Sequence, residues 1–208
     1  MSTVTPLPGA GPARGRGRPR SVAADEAILE ATRTVLAEDG WAALTVEGVA
    51  SRAGVAKTTV YRRFSSRADL AVAAVAQLVA AVQTTPGASL AEDIRNAIAA
   101  CTDVYARPAS RAAYLAVVAE AGRDPALRAA VEGRVIAPAR QLVAAGLARA
   151  VARGEFGRDH ADARTDLVFD LLAGALLHRL LVREAEIDDS FVESLTDAVL
   201  SVLRRSDG

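Results

Sequence analysis

Cysteine, lysine, histidine and aromatic side chains are scarce in this chain, and each shortage removes a class of protein. The one cysteine in 208 residues, Cys101, excludes an intramolecular disulfide and suits a reducing compartment. Two histidines, His160 and His178, have no cysteine or carboxylate at metal-ligand spacing. P-loop, dinucleotide and nucleophile-elbow motifs are missing as well, so the expectation is no enzyme, no metal and no cofactor. Aromatics make up 4% of residues against 51% hydrophobic, so the core must be built from Ala, Val and Leu. That supply favours packed helices over a β-sandwich, and the expected fold class is all-α. The N-terminus lacks an apolar signal-peptide core. The apolar stretches 70–82 and 167–182 are short or interrupted by Gln77, Asp170, His178 and Arg179. The expectation is a soluble cytoplasmic protein with no membrane segment.

Net charge is also lacking: 25 basic residues balance 25 acidic ones. The balance is uneven along the chain. Residues 11–67 carry ten Lys/Arg and six Asp/Glu, net +4, and residues 68–208 are net −4. A basic N-terminal part on an acidic remainder fits a nucleic-acid-reading head on a soluble body. Lys57 is the single lysine beside 24 arginines, a bias that reflects genome composition and lowers the weight of any one arginine.

Residues 1–20 are rich in Pro, Gly and Arg without apolar periodicity and read as a basic arm. A helix is predicted from about Ser21, burying Ala27, Ile28, Ala31, Val35 and Leu36, with Gly40 as its stop and Trp41 and Leu44 packed beneath the next loop. Thr45 caps a short helix to about Arg52, a turn follows at Ala53–Val55, and a third helix runs from about Ala56 to Phe64. Ser65 or Ser66 caps a longer helix to about Val82, and the Pro86–Gly87 breaker follows. Further helices are predicted over 89–106, 108–122, 125–153, 161–184 and 188–205, with Pro138 kinking or splitting the third of them.

Two short helices meeting across a tight turn need a small residue on the first, a residue tolerant of positive φ in the turn, and an apolar anchor on the second. Ala50, Gly54 and Val60 supply these, with Val46, Val49 and Val55 completing a small core. That spacing is a helix-turn-helix signature. The second helix presents Lys57, Thr58, Thr59, Tyr61, Arg62 and Arg63, and no acidic residue occurs between Ala56 and Arg67. Cations and hydroxyls on one face are suited to phosphates and major-groove base edges. The competing reading is a solvated amphipathic helix pair in a scaffold domain.

The run from Thr45 through Leu70 resembles the DNA-binding domain of the TetR family. It carries Thr45, Ala53-Gly54-Val55, Tyr61 and Phe64 at the end of the recognition helix, Arg67, and Asp69-Leu70. The resemblance implies three regions: the arm 1–20, a helix-turn-helix domain 21–70, and a helical ligand-binding and dimerisation domain 71–208. It implies that Thr45, Thr59, Tyr61, Arg63 and Arg67 touch phosphate while Lys57, Thr58 and Arg62 reach bases. Upstream, the Arg16-Gly17-Arg18-Pro19-Arg20 segment resembles an AT-hook, in which arginines enter a narrow minor groove; a solubilising tail is the alternative.

Residues 165–184 are apolar around most of a helix, and Ala173, Gly174 and Ala175 allow a second helix to approach closely. The family resemblance implies a homodimer through this helix and the 188–205 helix. It also implies a small-molecule inducer within the helical body. Cys101, Tyr105, Tyr114, Val118, Phe169 and His178 are the candidate lining residues, with the dimer interface an equal alternative for His178, and the shortage of inward charges predicts a neutral or hydrophobic ligand. The reading is a ligand-responsive repressor of a palindromic double-stranded DNA operator. The alternative is an architectural DNA-binding protein built around the basic arm.

Overall fold

The first helix, α1 (Pro19–Glu38), begins two residues earlier than Ser21 would dictate. Proline at the first helical position lacks only an N–H that has no partner there, and its fixed φ already suits the helix. The computed structural model describes residues 19–155 and 157–204, with no strand among them. α1 ends where Gly40 takes φ +76°, and a single turn, α2 (Gly40–Ala43), leads to fully buried Leu44. The Thr45 hydroxyl accepts the Gly48 N–H at 3.0 Å and starts α3 (Val46–Arg52). Gly54, at φ +67°, turns the chain into α4 (Lys57–Tyr61). That φ is the left-handed conformation where a side chain is strained.

Ser66, rather than Ser65, caps α5 (Arg67–Ala80): its hydroxyl accepts the Asp69 N–H at 3.0 Å. Asp69 reaches back to the Ser65 N–H at 2.8 Å, a reciprocal arrangement that satisfies two free donors. The body follows as α6 (Leu90–Tyr105), α7 (Pro108–Ala121), α8 (Pro125–Val131), α9 (Ala137–Ala152), α10 (Arg158–Leu177) and α11 (Asp189–Arg204). Between α8 and α9 the helix neither splits nor stops at Pro138. Residues Glu132–Ile136 form a π turn instead. A π turn widens the ladder just ahead of the proline ring, which would otherwise meet the carbonyl four residues back. By length and composition the 28 residues Pro125–Ala152 would suffice to cross a bilayer. In this fold their charges are engaged within the chain: Arg134 with Asp69, Arg140 with Glu132 and Asp166, and Arg149 with Asp93.

The core does not respect a boundary at residue 70. Ile28, Leu44, Val49, Val60 and Leu70 belong to one buried cluster with Val75 of α5, Ala113, Val117 and Ala121 of α7, and Val131 and Val135 beyond. Arg33, only 9% exposed, stitches α1 to α5 by donating to the Ala74 carbonyl at 3.1 Å and the Gln77 side chain at 2.8 Å. A second cluster joins α6, α9, α10 and α11 through Ile94, Ile98, Leu147, Val168, Leu172 and Val199.

Candidate nucleic-acid interface and interior cavity

α4 is seated by Val60, which is fully buried, so the opposite face of this short helix points to solvent. Lys57, Thr58, Tyr61 and Arg62 are exposed and Thr59 is half-buried. Tyr61, 53% exposed, is an apolar ring that the core does not cover. Glu47 of α3 draws the edge of this face together. Its carboxylate lies 3.5 Å from the Lys57 ammonium and accepts from the Tyr61 hydroxyl at 3.3 Å. Its own backbone N–H, Lys57 and Tyr61 together hold its pKa below the usual carboxylate range. Thr45 is exposed at the start of α3 with its hydroxyl engaged as the cap. Arg67 opens α5 and lies over the Trp41 ring, 5.5 Å from its centroid.

Arg63 is placed differently from the expectation. Its side chain is only 16% exposed, pairs with Asp25 of α1 and donates to the Thr59 carbonyl at 3.2 Å. It ties the recognition helix to α1, beside Phe64, which is buried in the core. Arg16 and Arg18 lie outside the described residues, and Arg20 falls in the first turn of α1.

The body holds a partly open cavity of about 140 Å³ between α6, α9 and α10, with Tyr114 of α7 and Val79 of α5 in its wall. Cys101, Tyr105, Tyr114 and Phe169 are brought together in its lining. Tyr105 and Tyr114 meet edge to face, centroids 5.6 Å apart and planes at 86°. Burial raises the pKa of both phenols and pushes the Cys101 thiol up to about 11, so that cysteine is no thiolate at neutral pH.

Val118 and His178 are corrections. Val118 is 41% exposed on the outer side of α7, since Ala113, Val117 and Ala121 are the residues turned inward. His178 starts a second π turn (His178–Val182) and is exposed, while Leu176, Leu177 and Leu180 supply that stretch of wall. Apolar periodicity locates these helices but not their rotation.

A polar cluster at the far end of the cavity was missed. Asp93, 6% exposed, accepts from Arg149 and Arg153 at 2.9 Å each and from the Gly87 N–H at 3.0 Å. Burial alone would raise its pKa; the Gly87 N–H and the two guanidinium groups outweigh it and hold the carboxyl below the usual range. The signal was present in two arginines four apart on one face of α9, a spacing that puts both on the same partner.

Comparison with known proteins agrees with this layout. The family described as bacterial regulatory proteins, tetR family, matches residues 28–74, and the Tetracyclin repressor-like, C-terminal domain matches residues 85–199. The DNA-binding transcriptional repressor TetR of Mycobacteroides abscessus is 32% identical over 197 residues, 91% of this chain and 96% of that protein. An uncharacterized HTH-type transcriptional regulator of Mycobacterium tuberculosis is 31% identical over 184 residues, 87% of this chain and 88% of the other. The crystal structure of TetR family transcription regulator SCO0332 superposes with a TM-score of 0.65 at 28% identity, covering 86% of this chain and 97% of that one. With both halves matched and relatives aligned along nearly their whole length, the chain belongs to the TetR family of DNA-binding transcriptional regulators.

Proposed function

We propose that this regulator is a cytoplasmic, ligand-responsive repressor, which binds a two-fold symmetric operator as a homodimer and leaves it when a small neutral or hydrophobic molecule fills the cavity. The observation that carries the reading is the reach of α5. Its N-terminal end follows the recognition helix directly and packs Leu70 and Ala71 into the core of the head. Its C-terminal end sets Val79 against the cavity. A second link runs beside it: Val135 and Ile136 of the π turn wall the cavity, and the adjacent Arg134 holds Asp69 of α5 at 2.5 Å. A ligand that spreads this wall moves the helix that carries the head. Such a ligand binds the DNA-free form more tightly, and linkage makes operator DNA weaken it by the same factor.

Base contacts are proposed for Lys57, Thr58 and Arg62, and phosphate contacts for Thr45, Thr59, Tyr61 and Arg67. Homodimerisation through α10 and α11 is supported by Leu167 and Gly174 on α10 and His178 just beyond its end, which are all exposed. A side chain added at Gly174 would meet nothing within 4 Å inside the chain, so that face has room for a partner helix. The test is selection of bound sequences from random DNA with the full chain, followed by sedimentation of Gly174→Arg. An inverted repeat is expected, and the variant should be monomeric with weakened operator binding. Enrichment of a sequence without two-fold symmetry, or an unaltered dimer, would count against the reading.

A further inference from the structure

The cavity is long for its volume. Its lining runs along α6 from Asp93 to Tyr105, about 18 Å at the rise of an α-helix, and beside it along α10 from Val168 into the π turn at Leu180. Spread over that length, about 140 Å³ leaves room for little more than one chain of atoms in cross-section. Compact drug-sized ligands occupy rounder pockets of roughly 300 Å³ or more.

The chemistry is as uneven as the shape. At one end Tyr105, 4% exposed, and half-buried Tyr114 bring their phenols into the wall. Among the described residues neither phenol oxygen takes part in a hydrogen bond; the two rings touch only edge to face. Neither oxygen is sealed off from the cavity, so each is free to donate to, or accept from, a ligand oxygen. Asp93 and Arg149 are the charged residues of the lining, paired through one guanidinium nitrogen at 2.9 Å at the opposite end of α6, while the Arg149 Nε is buried without a hydrogen-bond partner. A charged ligand group beside the tyrosines would therefore sit unpaired in an apolar wall. Between the two ends the surface is aliphatic: Ile94, Ile98, Leu147 and Leu172.

We propose that this cavity accepts an elongated, uncharged, chain-like molecule carrying one terminal hydroxyl or carbonyl oxygen, which docks on Tyr105 and Tyr114 with its apolar tail directed toward the Asp93–Arg149 pair. The proposal rests on reading the cavity as the ligand site and adds the class of ligand it takes.

The test is calorimetric titration of the intact protein at pH 8 with decanol, decanoate and naphthol. Decanol should bind at least tenfold more tightly than either of the others. The Tyr105→Phe/Tyr114→Phe double variant, with helix content checked by circular dichroism, should lose about tenfold in decanol affinity, the scale of one or two neutral hydrogen bonds. Leu172→Trp, which fills the bore while leaving both phenols in place, should abolish decanol binding. Decanoate binding as tightly as decanol would move the polar end to Arg149 and overturn the proposal, as would preference for naphthol, an unaffected double variant, or no binding at all. Binding is read without DNA. Decanol binding that leaves operator affinity unchanged would therefore uphold the ligand class and count against the effector reading.

Discussion

The two ends of α5 are held in different ways. Around the recognition helix the polar groups are tied to near neighbours in space: Arg52 to Glu38 at 2.5 Å, Arg63 to Asp25, Lys57 to Glu47, and the Thr45 and Ser66 hydroxyls to their own helices. Around the cavity, side chains are aliphatic, two phenols lack hydrogen-bond partners, and two π turns interrupt the helices. Local ties fix the aim of a short helix to within a rotamer. Non-directional apolar contacts over an empty bore fix only an average, which suits a wall meant to respond.

The contrast is sharpest in core truncations. Leu70→Ala, in the fully buried head, should cost about 3–5 kcal/mol in urea unfolding. Leu172→Ala removes a side chain that already faces the cavity and has fewer neighbours to lose, so it should fall near 2 kcal/mol. Equal losses would mean that the cavity is not a void in solution. The next largest effect concerns DNA. Lys57→Ala and Arg62→Ala should each weaken binding to the selected operator by about 1–3 kcal/mol with no change in melting temperature, because neither side chain supports the core. A fall in stability alongside affinity would make these residues structural and erase the difference between the two ends.

The smallest effect at neutral pH belongs to the Asp93 cluster. Its folded pKa is depressed, so the stability it contributes is present above the ordinary carboxylate pKa, near 4, and is lost as pH falls through the lower folded value. Between about pH 4 and pH 2 the wild type should therefore lose stability more steeply than Asp93→Asn, as followed by urea midpoints. Parallel curves would show that the two arginines do not hold that carboxylate.

Local chemistry also explains which parts of the molecule were legible in the sequence. The helix-turn-helix could be read because its determinants are short-range: the Thr45 cap, the positive φ of Gly54 and the Val60 anchor act within a few residues of themselves. Arg63 misled because its partner, Asp25, lies far back in the chain on another helix. In the body, apolar period and proline placement locate the helices, but do not show that Val118 and His178 face away from the cavity. An Ala-rich helix is nearly uniform around its circumference, so its rotation is set by neighbours and not by its own pattern. The Asp93 cluster draws its partners from the end of α9 and the loop before α6, so the four-residue spacing of Arg149 and Arg153 does not by itself name their carboxylate.

The packing of α7 against α1 bears on how the protein is made. Translation delivers the recognition helix early, long before Ala113, Val117 and Ala121 exist to complete the core beneath it. A nascent or prematurely terminated chain ending near residue 82 carries every proposed base-reading side chain but leaves the inner surface of α1 open to water. Such fragments should be poor competitors for the operator, since the head acquires its full rigidity only after the body that governs it has been synthesised.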